Sequence, residues 1–126
     1  MSRQVYFSLE GILFQYDEEK NHANIIKHGI SFTIAARVFL DQNRIEMYDD
    51  EHSHDEDRYN TIGDVTTYVV TEDAGSSVGM GADIIFVVYT ERSSRQENGK
   101  TVEVIRIISA RQATNFERGL YYGKHD

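Results

Sequence analysis

Residues 83–91 read DIIFVVYTE, and the run IIFVVY inside it decides the fold. Apolar side chains occupy both parities of this run, so a strand built from it has to be covered on both faces for much of its length, as a central strand is. Similar β-branched and aromatic segments surround it: RIEMY (44–48), RYNTIG (58–63), TTYVVTE (66–72) and TVEVIRIIS (101–109). Each is bounded by turn-forming residues, which predicts an antiparallel meander. DAGSSVGMGAD (73–83) and RSSRQENGK (92–100) are read as its connecting loops. GSSVGMG lacks the lysine and the strand-to-helix setting of a phosphate loop, so it is read as a turn.

Helices flank the meander. Over 17–28, Asp17 can cap, Glu18 and Glu19 suit the positive end, and Gly29 can take the left-handed turn that ends the helix. Ser31 then caps a second helix whose Phe32, Ala35, Ala36 and Phe39 recur at helical spacing and should face the core. SARQATNFERGLYYG (109–123) reads as a closing helix in which Ser109 and Gln112 form a capping box. This order predicts an α+β domain: N-terminal helices and a C-terminal helix packed on one face of a mostly antiparallel sheet, part of the other face open. There is no internal repeat, and residues 1–126 suit one domain.

The chain has no cysteine, which removes disulfides, thiolate nucleophiles and cysteine-built zinc sites, and agrees with a reducing, cytoplasmic setting. The N-terminal residues do not read as a secretory leader, and no apolar run is long enough to span a bilayer, so neither secretion nor a membrane partner is expected. Net charge is −8, and the stretch from Glu46 to Arg58 holds seven acids against one base, a local −6. Most of the imbalance belongs to one segment.

Several basic positions could carry chemistry. Lys27 and His28 close the first helix, where cations are stabilised by the carbonyl end of the macrodipole, so capping alone explains them. Arg111, placed just inside a helix that starts at Ser109, would sit at the positive end of that macrodipole and need an offsetting anion, either a bound phosphate or a carboxylate such as Glu56. Arg106 shares strand parity with Val102, Val104 and Ile108, so it needs an anion, an opening, or Glu91 on the next strand. Arg92 and Arg58 end their strands and could gather on one rim. DDEHSHDEDR (49–58) offers His52, His54 and carboxylates to a metal, yet its composition also suits a solvated connector. Tyr121 and Tyr122 are read mainly as packing residues.

Taken together, YDEEKNHANIIKHGISFTIAARVFLD (16–41), EDRYNTIG (56–63), VVYTERS (87–93) and IRIISARQATNFERGLYY (105–122) resemble BrnT-type toxins of bacterial type II toxin–antitoxin systems. The resemblance implies a RelE-like fold and a metal-independent, cofactor-free endoribonuclease that arrests translation. It also implies a partner, a BrnA-like antitoxin with a ribbon-helix-helix domain, so that DNA is met only through the antitoxin. Lys27, His28, Glu56, Arg58, Arg92, Arg106 and Arg111 match the family's motif positions. Tyr16 stands where tryptophan usually precedes the aspartate, residues 1–13 extend beyond the usual start, and the loops near 73–83 and 93–100 are longer than typical.

RNA cleavage without metal requires activation of a 2′-hydroxyl, stabilisation of the phosphoryl oxygens and protonation of the leaving 5′-oxygen. Arg111, helped by Arg106 and by Arg58 or Arg92, is expected to hold the phosphate, His28 or Glu56 to move protons, and Lys27 to give electrostatic support. The competing expectation is a RelE-like scaffold without nuclease activity, serving as antitoxin partner and co-repressor. A metal-binding regulator built on His52 and His54 ranks third.

Overall fold

A computed structural model describes residues 2–65 and 84–123. Along the chain come β1 (Gln4–Leu9), β2 (Ile12–Asp17), α1 (Glu18–His28), α2 (Phe32–Ala35) running into a 3₁₀ turn (Ala36–Leu40), and β3 (Ile45–Tyr48). A second 3₁₀ turn (Asp50–His52), β4 (Tyr59–Asp64), β5 (Ile84–Arg95), β6 (Thr101–Gln112) and α3 (Asn115–Gly123) complete it. The strands form one six-stranded sheet in the order β1-β2-β6-β5-β4-β3. Every pairing is antiparallel except β2 with β6, which run parallel through Leu13–Val104, Phe14–Ile105 and Gln15–Arg106. The fold is thus α+β, and IIFVVY lies in its third-last strand, flanked by β6 and β4. Ile84, Ile85 and Val87 are completely buried there.

The N-terminal helices follow the capping residues. Asp17 Oδ1 accepts the Lys20 N–H (3.1 Å), Gly29 turns left-handed at φ 74° and donates its N–H to Ile25 O (2.8 Å), and Ser31 Oγ accepts the Ile34 N–H (3.2 Å). Phe32, Ala35, Ala36 and Phe39 are buried, as their spacing predicts. With Phe14, Ile85, Val87, Tyr89 and Ile107 they form the main core on one face of the sheet. α1 contributes little apolar surface to it, since Ile25 and Ile26 are exposed and its buried residues are Asn21 and Asn24. Those two asparagines anchor it instead. Asn21 Oδ1 accepts the Phe32 N–H (2.8 Å), while Asn24 Nδ2 donates to Ala110 O (2.9 Å) and Ile30 O (2.8 Å) and its Oδ1 accepts the Ala110 N–H (3.2 Å).

Residues 1–13, read as an extension, supply β1 and the start of β2, joined by a two-residue turn in which Glu10 (φ 50°) and Gly11 (φ 82°) both have positive φ, as tight hairpins require. Other expectations need correction. RSSRQENGK is read wholly as a loop, but β5 runs to Arg95 and the turn is confined to Gln96–Lys100, with Gly99 at φ 84°. The closing helix does not start at Ser109. β6 continues to Gln112, and α3 is capped by a different box: Thr114 Oγ1 accepts the Glu117 N–H (3.1 Å) and Glu117 Oε1 accepts the Thr114 N–H (2.9 Å). α3 also lies against the other face of the sheet, where Tyr121 packs with Ile62 and Ile84, supported by Phe86, Ile45 and Met47. The Tyr121 hydroxyl donates to Asp41 Oδ2 (2.6 Å). TTYVVTE and DAGSSVGMGAD lie outside the described residues.

Glu117 also accepts two bonds from the Arg111 guanidinium, at 2.8 and 2.9 Å. That pairing holds the Glu117 carboxyl below its ordinary range, helped by the bond from Thr114.

Two outcomes follow from these anchors. Asn24→Ala strands both backbone groups of Ala110 and should cost about 2–4 kcal/mol in urea unfolding with an unchanged m value. Glu117→Gln should cost about 1 kcal/mol at pH 7. Because the folded-state pKa of Glu117 is depressed, its contribution is present above the unfolded value and is lost as pH falls through the folded one. Melting curves of variant and parent should therefore converge below the ordinary carboxylate range, and a gap independent of pH would refute the ionic account.

Candidate functional site

The sheet face opposite the main core is covered by α3 at one end and carries arginines along the rest. Cross-strand neighbours define it: Tyr6, Gln15, Arg106 and Thr90 lie in one row, Ser8, Leu13, Val104 and Arg92 in the next. Parity alone would send Arg106 and Arg111 to opposite faces, since they are five residues apart. They share a face because the β5–β6 register shifts at Val88/Tyr89: Tyr89 pairs with Ile107 and Val88 with Ser109, leaving Ile108 as the extra residue of a bulge. Arg111 then lies opposite Phe86, with its guanidinium 4.1 Å from the ring centroid.

Glu56 stands at the centre of the charge arrangement. Its carboxylate accepts Arg92 Nε at 3.1 Å and Nη2 at 3.2 Å, a bidentate pair at partial exposure. That pair lowers the Glu56 pKa, and Arg106 and Arg58 lower it further through their fields. Arg106 itself is lowered, first by burial and then by repulsion from Arg92, and donates Nη1 to Gln4 Oε1. Neither the Glu91 partner weighed as one alternative for Arg106 nor the Glu56 partner weighed for Arg111 forms: Glu91 projects with Ile105 toward the core face, and Arg111 is taken by Glu117. The helix-start argument for Arg111 also falls, because the residue is on β6 and its anion is internal. The Arg111 pKa is raised by that pairing.

The residues around Arg58 form two adjoining hollows. One, of about 290 Å³, is lined by His52, His54, Asp55, Glu56 and Arg58. The other, of about 420 Å³, runs on past His52, Arg58, Asn60, Ser109 and Arg111. His52, weighed from the sequence only as a metal ligand, is held by Asp49, whose carboxylate oxygens lie 3.0 and 3.1 Å from its Nδ1. Asp49 also accepts the His52 N–H, so the D-x-x-H spacing was the legible signal. Among the described residues no group of three or more histidines and carboxylates is set to hold a metal ion. Asn60 Oδ1, in the second hollow, and Thr90 Oγ1, in the row with Arg106, are buried without a hydrogen-bond partner among the described residues.

The arrangement therefore gathers Glu56, Arg58, Arg92 and Arg106, with Arg111 farther along the same face. Lys27 and His28 are not joined to this set by any hydrogen bond or ion pair among the described residues. They lie one helical turn beyond Asn24, the residue that grips Ala110 beside Arg111. Tyr121 is a buried packing residue, and Tyr122 is half exposed against it. Chemically, the face can bind a polyanion through Arg58 and Arg106, whose guanidiniums have no carboxylate bonded to them among the described residues, next to an ionised carboxylate and an oriented imidazole.

No helix among the described residues is long and apolar enough to cross a membrane. No curated protein matches the chain. Residues 16–117, a span holding α1 and every arginine of the open face, match the family described as ribonuclease toxin, BrnT, of type II toxin–antitoxin system. The chain belongs to that BrnT family of ribonuclease toxins.

Proposed function

We propose that this protein is a metal-independent endoribonuclease toxin with a RelE-like fold, acting in the cytoplasm and neutralised by a BrnA-like ribbon-helix-helix antitoxin. The observation that carries the proposal is the convergence of Arg58, Arg92 and Arg106 on Glu56 on an open sheet face. Cleavage uses the 2′-hydroxyl as nucleophile. Glu56, ionised at neutral pH, takes its proton as the 2′-oxygen bonds to phosphorus. Arg106 and Arg58 stabilise the phosphoryl oxygens, and Arg92 keeps Glu56 in place. His52, oriented by Asp49, gives a proton to the departing 5′-oxygen, leaving a 2′,3′-cyclic phosphate and a free 5′-hydroxyl. His28, supported by Lys27, is the alternative donor from the flank of β6. Arg111 contributes positive field at the far end of the hollow, and its bond to Glu117 makes it a fold-sensitive position.

A second reading, a scaffold that binds the antitoxin without cleaving RNA, is favoured by the internal pairing of Arg92 and Arg111. The acidic stretch from Glu46 to Asp57 would then meet a basic antitoxin segment.

Arg106→Ala should lower the rate of RNA cleavage at least about 100-fold while moving the melting temperature little. Cleavage should persist in excess chelator. The acid limb of kcat/KM should fall below the ordinary carboxylate range and disappear in Glu56→Gln, since the Glu56 pKa is depressed. Of His52→Gln and His28→Gln, the former should be the slower enzyme; the reverse order moves the acid to α1. Inducible expression of the parent chain that leaves growth unaffected would favour the scaffold.

A further inference from the structure

The matched family span starts at residue 16, yet the hairpin before it reaches the arginine face. β1 alternates, with Val5, Phe7 and Leu9 turned to the main core and Gln4, Tyr6 and Ser8 to the open face. Gln4 accepts from Arg106, which joins the hairpin directly to the charge arrangement. Beside it, Tyr6 is 56 % exposed, while its cross-strand partner Gln15 is only 8 % exposed. Gln15 Nε2 donates to the Tyr6 hydroxyl oxygen at 2.6 Å. Together with Arg92, Ser93, Ser94 and Val104 they line a recess of about 130 Å³.

We infer that Tyr6 and Gln15 form a nucleobase subsite beside Arg106 and Arg92, in which one base of a bound RNA stacks on the Tyr6 ring. The inference rests on the reading of the open face as an RNA site. Three features support it. An aromatic ring on a flat strand face, held by a buried amide, is a pre-oriented stacking platform of the kind single-stranded RNA uses. It stands one strand pairing from Gln15 and two from Arg106, so a phosphate at the guanidinium brings the adjoining base within its reach. The Tyr6 hydroxyl proton and Gln15 Oε1 have no partner among the described residues, which leaves one donor and one acceptor for a base edge. The hairpin is then a specificity element, with Gln15 a positioning residue that sets the ring.

The test uses the full chain and a short RNA blocked with 2′-O-methyl groups, so that binding is read without cleavage. A single abasic position is moved along the strand and affinity followed by fluorescence anisotropy. In the parent protein one position should carry a penalty of about 5- to 150-fold. Tyr6→Ala should erase that penalty and Tyr6→Phe should keep it. Tyr6→Thr, which retains strand propensity, replaces the alanine variant if the hairpin loosens. An equal penalty in parent and alanine variant overturns the subsite; if Arg106→Ala still weakens binding, the RNA reading of the face survives. Absence of any parent binding overturns both. Intact RNA behaviour with weakened antitoxin binding in Tyr6→Ala overturns the subsite in favour of a protein contact.

Discussion

Strand β6 is paired with β5 from end to end, but on its other side β2 accompanies it only through Val104, Ile105 and Arg106. Beyond that point its backbone would be bare, and a buried N–H or C=O without a partner costs about 1–3 kcal/mol. The side chain of Asn24 takes over there, giving Ala110 one donor and one acceptor as a neighbouring strand would. From this replacement the rest follows. It fixes α1 along the flank of β6, the turn at Gly29 then delivers Ser31 and α2, and their apolar residues close one face of the sheet. Among the described residues the opposite face carries only α3, at one end, and its middle is left to charged side chains.

Charge on that open face is arranged more economically than a simple basic patch. Two arginines are held by carboxylates of the chain, Arg92 by Glu56 and Arg111 by Glu117, while Arg58 and Arg106 lack such partners among the described residues. Paired arginines set shape, and the others supply net positive potential. This resolves the apparent conflict between an acidic chain and a polyanionic ligand, because the seven acids between Glu46 and Asp57 do not act alike. Glu56 is bonded to Arg92, Glu46 binds the Tyr89 hydroxyl at 2.7 Å, and Asp49 orients His52.

Much of this was legible in the sequence wherever the signal is local. Asp17, Gly29 and Ser31 mark the first two helices because capping depends on a few neighbouring residues, and IIFVVY marks a central strand because burial on both faces leaves no polar parity. The start of α3 was not legible from spacing: SARQ and TNFE both fit a capping box, and only the pairing of Ser109–Gln112 with β5 and the grip of Asn24 select the second. β1 and β2 alternate cleanly, but a two-strand hairpin is marginal alone and becomes convincing only against β6. At the site, the residue types were readable and their partners were not. The Glu56–Arg92 pair joins residues 36 apart in sequence, and the contribution of Gln4 to Arg106 spans 102.

The bulge at Ile108 has a bearing on how this chain can vary. Between Arg106 and Arg111 many substitutions are compatible with the ladder, but the count of residues is not free. Removing one would restore regular pleating and turn the guanidinium of Arg111 toward the aliphatic interior, away from Phe86 and Glu117. Natural or engineered variants should therefore tolerate exchange in this segment and resist insertion or deletion, so that its length is the more constrained property.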